Sequence, residues 1–226
     1  MVIDRNPILL QIMALLIFLR PTLYMSFLFC LSLRPAFSQG VIYAKNKGEH
    51  KQKVEEWRKQ KDITYKDREK TMLTDELLPG FTGLKYYPID YTYRVNGHIQ
   101  RFTDGRKFAI QTTGGQAYDY FIYGQVSFVL EGKKLTLDVY QSQRSAKSGV
   151  KEGALFIPFT DATSGDETYG GGRYLVLDIP ESDILPLDFN MAYNPYCVYD
   201  PEHSCPVPPK ENTLRVFVKA GELMYP

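Results

Sequence analysis

From Pro79-Gly80 onward the chain is a succession of short β-type runs set apart by turn signals, with no helical period between them. Strands are predicted near Lys85–Val95, His98–Thr103, Lys107–Thr112, Tyr118–Leu130, Lys134–Gln143, Ala154–Thr160, Arg173–Asp178 and Thr213–Lys219. Asn96-Gly97 and Asp104-Gly105 are expected as tight hairpin turns and Glu131-Gly132 as another, because such pairs accept the positive φ that two-residue hairpins need. Leu135, Leu137 and Val139 alternate with Thr136, Asp138 and Tyr140, the period of a half-buried strand. Parallel strands require long crossovers, and the intervals here hold no helix to supply them. The expected class is mainly β: an antiparallel β-sandwich or barrel, with one N-terminal helix and a long ordered C-terminal loop segment.

Two other regions precede this β-rich stretch, which is taken as a domain of residues 79–226. Residues 1–38 hold two apolar runs, Ile8–Leu19 and Thr22–Leu33, broken by Arg20-Pro21. Each is shorter than the roughly 18 residues of a spanning helix. The ending Ala36-Phe37-Ser38 suits signal peptidase, with cleavage before Gln39, or Met13 serves as the start of a more ordinary signal. The reading is an export signal, which places the mature chain in the periplasm or outside the cell. An uncleaved N-terminal anchor is the alternative and would be the protein's only membrane contact. Residues 39–78 read as a helical extension, with a helix from Glu49 to about Met72 rich in Glu, Lys, Gln and Arg. Its apolar stripe is thin, with Val54 and Trp57 on it, and its interleaved charges read as a solvated face.

The 27 Lys and Arg residues nearly balance the 26 Asp and Glu residues. That balance argues against a nucleic-acid partner, whose binders carry a basic surplus to neutralise phosphates. The chain contains no G-x-x-x-x-G-K-[ST], G-x-S-x-G or H-E-x-x-H pattern, and no cofactor is expected.

Chemistry concentrates toward the C-terminus. Asp188 to Glu222 packs four rings (Phe189, Tyr193, Tyr196, Tyr199) ahead of Cys205, with Pro195, Pro201, Pro206, Pro208 and Pro209 stiffening the run. Disordered linkers are poor in aromatic residues, so this is an ordered loop, and long ordered loops often carry function. Cys197 and Cys205 are the cysteines left after signal removal, and export would favour a disulfide between them. With His203 they form a weaker zinc alternative, since C-x5-H-x-C departs from the usual spacing. A nucleophilic Cys197 with His203 as base would need a free thiol and a third, orienting group.

Asp161 begins an oxygen-rich run through Thr163, Gly165, Asp166 and Glu167 that fails the EF-hand spacing and suits an Asx-type turn better. The pattern F-x-D-x-T-x-G-x-x-T-Y-x-x-G-R spans Phe159–Arg173. It is followed by D-F-N-x-A-Y-N-P-x-C from Asp188, C-P-x-P-P-x-x-N-x-L from Cys205, and Ala220-Gly221-Glu222. Over about Ala154–Glu222 this resembles the bacterial family known as domain of unknown function 1684. The resemblance implies company at the level of fold and a place for a site, and no established activity.

The candidate ligand-binding residues are Asp161, Arg173, Asp188, Asn190, Tyr193 and Asn194, on a face built from the 161–173 loop and the 188–212 segment. Arg173 after Gly170–Gly172 suits a bidentate clamp on a carboxylate or phosphate, the glycine amides aiding as a nest. The first expectation is a small-molecule or protein ligand, with carbohydrate or a small aromatic molecule favoured by the chain's seventeen tyrosines. A second is a hydrolase with Asp161 and Asp188 as acid and base and Arg173 stabilising charge. The third is a structural clasp, with Arg173 pairing internally.

Overall fold

The computed structural model describes residues 46–142 and 153–225. The expected signal or anchor at 1–38 lies outside the described residues. The helix and the strands belong to one compact unit.

Helix α1 runs from Lys47 to Lys66. Asn46 caps it, its side chain accepting from the amide of Glu49 at 2.9 Å. It stops six residues before the expected end because Asp67 turns extended and its carboxylate captures the Glu69 amide, an alternative to helix that short Asp side chains favour. Surface pairs such as Lys53–Glu49 at 2.7 Å decorate its outer side. The inner side is not solvated as expected. Its buried residues are His50, Val54, Lys61 and Tyr65, a stripe at helical spacing that is mostly polar.

The strands are β1 (Arg94–Arg101), β2 (Lys107–Gln111), β3 (Ala117–Leu130), β4 (Lys133–Ser142), β5 (Leu155–Phe159), β6 (Arg173–Leu177) and β7 (Ile184–Asp188). They form one antiparallel sheet in the order β6-β5-β4-β3-β1-β7, with β2 also paired to β3. Among the described residues the protein is thus mainly β, with one α-helix ahead of the strands, and its curled sheet forms a half-barrel. Beyond β7 the chain crosses back to β6, where Tyr193 exchanges backbone hydrogen bonds with Tyr174 at 2.9 and 3.1 Å. The two ends of the sheet are therefore bridged by the segment that starts at Asp188.

Two of the expected hairpins are absent. Asn96-Gly97 lies inside β1, where Asn96 pairs with Pro186 and Gly97 with Leu185. Gly97 is there for close packing: a Cβ on it would sit 2.3 Å from Val126 Cγ2. Asp104-Gly105 separates β1 from β2, which run in the same direction along β3, so it interrupts one strand line rather than reversing it. The Glu131-Gly132 hairpin forms as expected, both residues at positive φ (51° and 73°). No strand forms over 85–93, where Tyr86 makes only an isolated bridge to Glu222. Residues 213–220 alternate exposed and buried like a strand but bond only sparsely, Leu214 N to Thr160 O at 2.8 Å and Ala162 N to Val216 O at 2.9 Å.

Apolar side chains cover both faces of the sheet. One face packs Ile99, Val126, Leu137, Leu155, Leu175 and Leu185 against Leu214, Val216, Val218 and Ala220 of the tail. The other packs Ile110, Tyr120, Tyr140, Phe156, Tyr174 and Val176. β5 and β6 are buried along their whole length, which continuous apolar strands such as Leu155–Phe159 require. The tail is a wall of the core.

Candidate functional site

Arg173 opens β6 with its guanidinium inside the protein, 1% exposed. One terminal nitrogen donates to Asp161 Oδ2 at 2.6 Å and to the Val218 carbonyl at 2.9 Å. The other donates to the carbonyls of Ala220 and Glu222, the latter at 3.2 Å. Asp161 spends its second oxygen on the amide and hydroxyl of Thr163 at 2.6 and 2.5 Å, the expected Asx-type turn. The adjoining glycines serve approach rather than anion binding. Gly172 has φ +87°, its amide is bonded to Tyr169 O at 3.0 Å, and a Cβ would meet Phe159 O at 2.5 Å.

Asp188 and the asparagines are closed in the same way. Asp188 Oδ2 lies 2.7 Å from His50 Nε2, and its Oδ1 accepts from the amide and side chain of Asn190 at 3.1 and 2.9 Å. Asn190 further holds the Asp90 amide and carbonyl at 2.9 and 2.8 Å. Asn194 Nδ2 donates to Leu223 O at 2.9 Å, and its amide donates to Glu222 Oε2 at 2.7 Å. Tyr193 stands edge-on to Tyr174, ring centres 5.8 Å apart, with the Lys61 ammonium 4.7 Å above its own ring. The six predicted ligand residues are thus engaged by internal partners: Asp161 and Arg173 by each other and the tail, Asp188 and Asn190 by each other and His50, Asn194 by Glu222 and Leu223, and Tyr193 by Tyr174 and Lys61.

The helix completes this interior network, a part that sequence reasoning missed. Lys61 Nζ donates to Glu222 Oε1, while Glu222 Oε2 also accepts from Tyr199 OH at 2.9 Å. Arg58 donates to the carbonyls of Tyr87 and Asn190 at 2.9 and 3.0 Å and lies 4.3 Å over the Tyr86 ring. Burial pulls Lys61 below the ordinary lysine range, with the Glu222 carboxylate opposing the shift. Burial likewise pushes the Tyr65 and Tyr199 hydroxyls up, with Glu222 adding to both. A signal was present in the sequence: the polar residues His50, Arg58 and Lys61 share one helical stripe with Val54 and Tyr65.

An opening exists where the two predicted stretches meet by other residues. A cleft of about 220 Å³ is lined by Thr113, Gly114, Tyr169, Cys197, Pro201, Glu202, His203 and Ser204. Tyr169 belongs to the 161–173 loop, and residues 197–204 to the C-terminal segment. The β2–β3 turn supplies the third wall and is stitched to that segment. Thr113 N donates to Cys205 O at 2.9 Å, Cys205 N donates to Thr113 Oγ1 at 3.0 Å, and Ser204 Oγ donates to Thr112 Oγ1 at 2.7 Å. These contacts join residues some ninety apart, which no spacing in the sequence announces.

Cys197 and Cys205 lie side by side as free thiols, the Cys197 amide 3.1 Å from Cys205 Sγ. Hydrogen bonds from Cys205, Thr113 and Tyr169 lower the Cys197 thiol to about 6 against the desolvation of its partly buried site. Cys205 is driven up by its bond to Cys197 and by burial. His203 Nδ1 is 3.1 Å from Asp200 Oδ2. Among the described residues no three His, Cys, Asp or Glu side chains converge in a way that would hold a metal ion.

Residues 79–223 match the family described as Protein of unknown function (DUF1684). The chain belongs to this family. Its shared stretch begins at Pro79, well ahead of the motifs near Ala154, and so takes in the whole sheet and the β2–β3 turn. A solved relative in fold is an uncharacterised protein of Haloarcula marismortui, determined by solution NMR. It is 30% identical, with a TM-score of 0.61, over 78% of this chain and 95% of its own. That organism is archaeal, so likeness to this chain is not confined to bacteria. No protein with a curated description matches.

Proposed function

We propose that the protein is an exported β-domain that binds a small ligand in the cleft between the β2–β3 turn, Tyr169 and residues 197–204. In this reading the 188–222 segment clasps the sheet and holds the cleft walls rigid. The carrying observation is the division of labour among side chains. Asp161, Arg173, Asp188 and Asn190 are consumed by internal partners, whereas Tyr169, Cys197, His203 and Ser204 line open space. Export is supported by the apolar N-terminal runs and the Ala36-Phe37-Ser38 ending. Among the described residues no helix is long and apolar enough to cross a membrane.

The cleft is smaller than the ~300–1,000 Å³ common for drug-sized ligands. It suits a molecule the size of one sugar or one aromatic ring, with Tyr169 as a stacking surface and the Thr113 and Ser204 hydroxyls as polar contacts. The acid–base reading finds no such support, because the Asp161 side chain is fully enclosed and Asp188 is bound to His50.

Amide chemical-shift mapping with glucose and with phenol tests the cleft reading. One of the two probes is expected to shift Thr113, Gly114, Tyr169, Cys197, His203 and Ser204 together, and Tyr169→Ala is expected to weaken that response at least several-fold. Shifts from neither probe at these residues, or shifts confined to the Arg173 surroundings, would overturn it.

A further inference from the structure

We propose that Cys197 and Cys205 are a redox-active pair, in which Cys197 reduces a hydroperoxide entering the cleft and Cys205 converts the product to an intramolecular disulfide. The proposal rests on the same cleft as the ligand reading, though no ligand needs to be bound. Its basis is asymmetry. Cys197 lines the opening, and Cys205 sits behind it, 4% exposed, with its sulfur against the Cys197 backbone. The Cys205 thiol most of all, and then the Thr113 and Tyr169 side chains from the two other walls, favour the Cys197 thiolate. A half-buried, hydrogen-bonded thiolate that lines an opening, beside a buried protonated thiol, divides the roles of nucleophile and resolving group.

The steps balance. The Cys197 thiolate attacks the terminal oxygen of R–O–O–H, an S–O bond forms, and the O–O bond breaks. The alkoxide leaves and takes up a proton as the alcohol, or as water for hydrogen peroxide. The peroxide is reduced by two electrons and Cys197 is oxidised to the sulfenic acid. Cys205 then attacks that sulfur, its thiol proton passing to the departing oxygen. The S–O bond breaks, the S–S bond forms, and water leaves. A purely structural bridge needs neither an open sulfur nor donors aimed at it.

The test starts from the reduced full-length chain in three forms: wild type, Cys205→Ser and Tyr169→Phe. Iodoacetamide alkylation of Cys197 is followed against pH by peptide mass spectrometry. The midpoint is expected near 6, moving up toward the ordinary thiol value of about 8.5 in Tyr169→Phe. One equivalent of hydrogen peroxide should convert wild type to the Cys197–Cys205 disulfide. In Cys205→Ser it should leave a sulfenic acid at Cys197 that dimedone traps. Should Cys205→Ser fail to fold, the wild-type alkylation profile and the site of first oxidation still decide. A Cys197 midpoint at the ordinary thiol value overturns the proposal. So does peroxide oxidation that bypasses these residues, or a bridge that millimolar glutathione leaves intact. The ligand reading fails separately, on the glucose and phenol shifts.

Discussion

Replacing Arg173 with methionine is expected to cost on the order of 3–5 kcal/mol, the range for removing one member of a buried ion pair. The Asp161 carboxylate would be left enclosed without its counter-charge, and the carbonyls of Val218, Ala220 and Glu222 would lose a shared donor. Lysine should rescue little of this, because one ammonium lacks the planar fork that reaches both Asp161 and the tail. Urea unfolding followed by fluorescence of Trp57, the chain's one tryptophan, measures the loss as a lower midpoint. A second replacement, Asp161→Leu, should cost far less on the methionine background than alone, since the two side chains share one interaction. If Arg173 were instead a ligand clamp, the methionine variant would keep its unfolding free energy within about 0.5 kcal/mol of wild type, as exposed positions do.

A loss of similar size, about 3–5 kcal/mol, is expected for Glu222→Gln or Glu222→Ala. Glu222 is 1% exposed and joins the helix to the tail, because Lys61, the Asn194 amide and the Tyr199 hydroxyl all converge on its carboxylate. Without it the Lys61 ammonium is buried among the rings of Tyr193, Tyr65 and Trp57 with no anion. The pH dependence follows from the direction of the Lys61 shift. Lys61 is already held below the ordinary lysine range in the folded protein, so between that lowered value and the unfolded value near 10.4 the unfolded chain binds more protons. Stability from this group therefore rises with pH across that window and is depressed below it. Removing the carboxylate lowers the folded value further and widens the window downward. The glutamine variant should begin to gain stability at a lower pH than wild type in the same urea series. A rise that begins at the same pH in both would show that the Glu222 carboxylate does not hold the Lys61 charge.

These two sites explain what the amino-acid sequence disclosed and what it hid. β-Branched and aromatic alternation located β2 through β6 to within a residue or two, since the half-buried faces those residues suit are what they occupy. β7 went unread because Pro186 interrupts Ile184–Asp188. A proline is tolerated there only because β7 is the edge strand of the sheet. Asn96-Gly97 carries a hairpin signature that tertiary packing overrides: Gly97 is the residue that lets β1 approach Val126. The 161–173 and 188–212 stretches were legible as a place, since their rings, prolines and glycines require ordered structure. Which of their side chains face inward was not legible. A guanidinium and a carboxylate have the same spacing in the chain whether they clamp a ligand or close on each other, and only the path of residues 214–222 past β6 decides between them. The helix misled for the same reason. His50, Arg58 and Lys61 look like solvent-facing charge until Asp188, Asn190 and Glu222 arrive from more than a hundred residues away. The cleft depends on the meeting of Thr113 with Cys205, a contact with no local precursor.

Native-state hydrogen exchange of the tail amides bears most directly on the claim that residues 188–222 are a folded clasp. The amides of Asn194, Leu214, Glu222 and Leu223 donate to Glu222 Oε2, Thr160 O, Ala192 O and Lys85 O at 2.7, 2.8, 2.9 and 2.9 Å. They should open only with global unfolding, at the free energy that urea denaturation gives for the whole protein. Exchange of these four at the rate of an open surface loop, while the strand amides of β3 and β4 stay protected, would contradict the clasp.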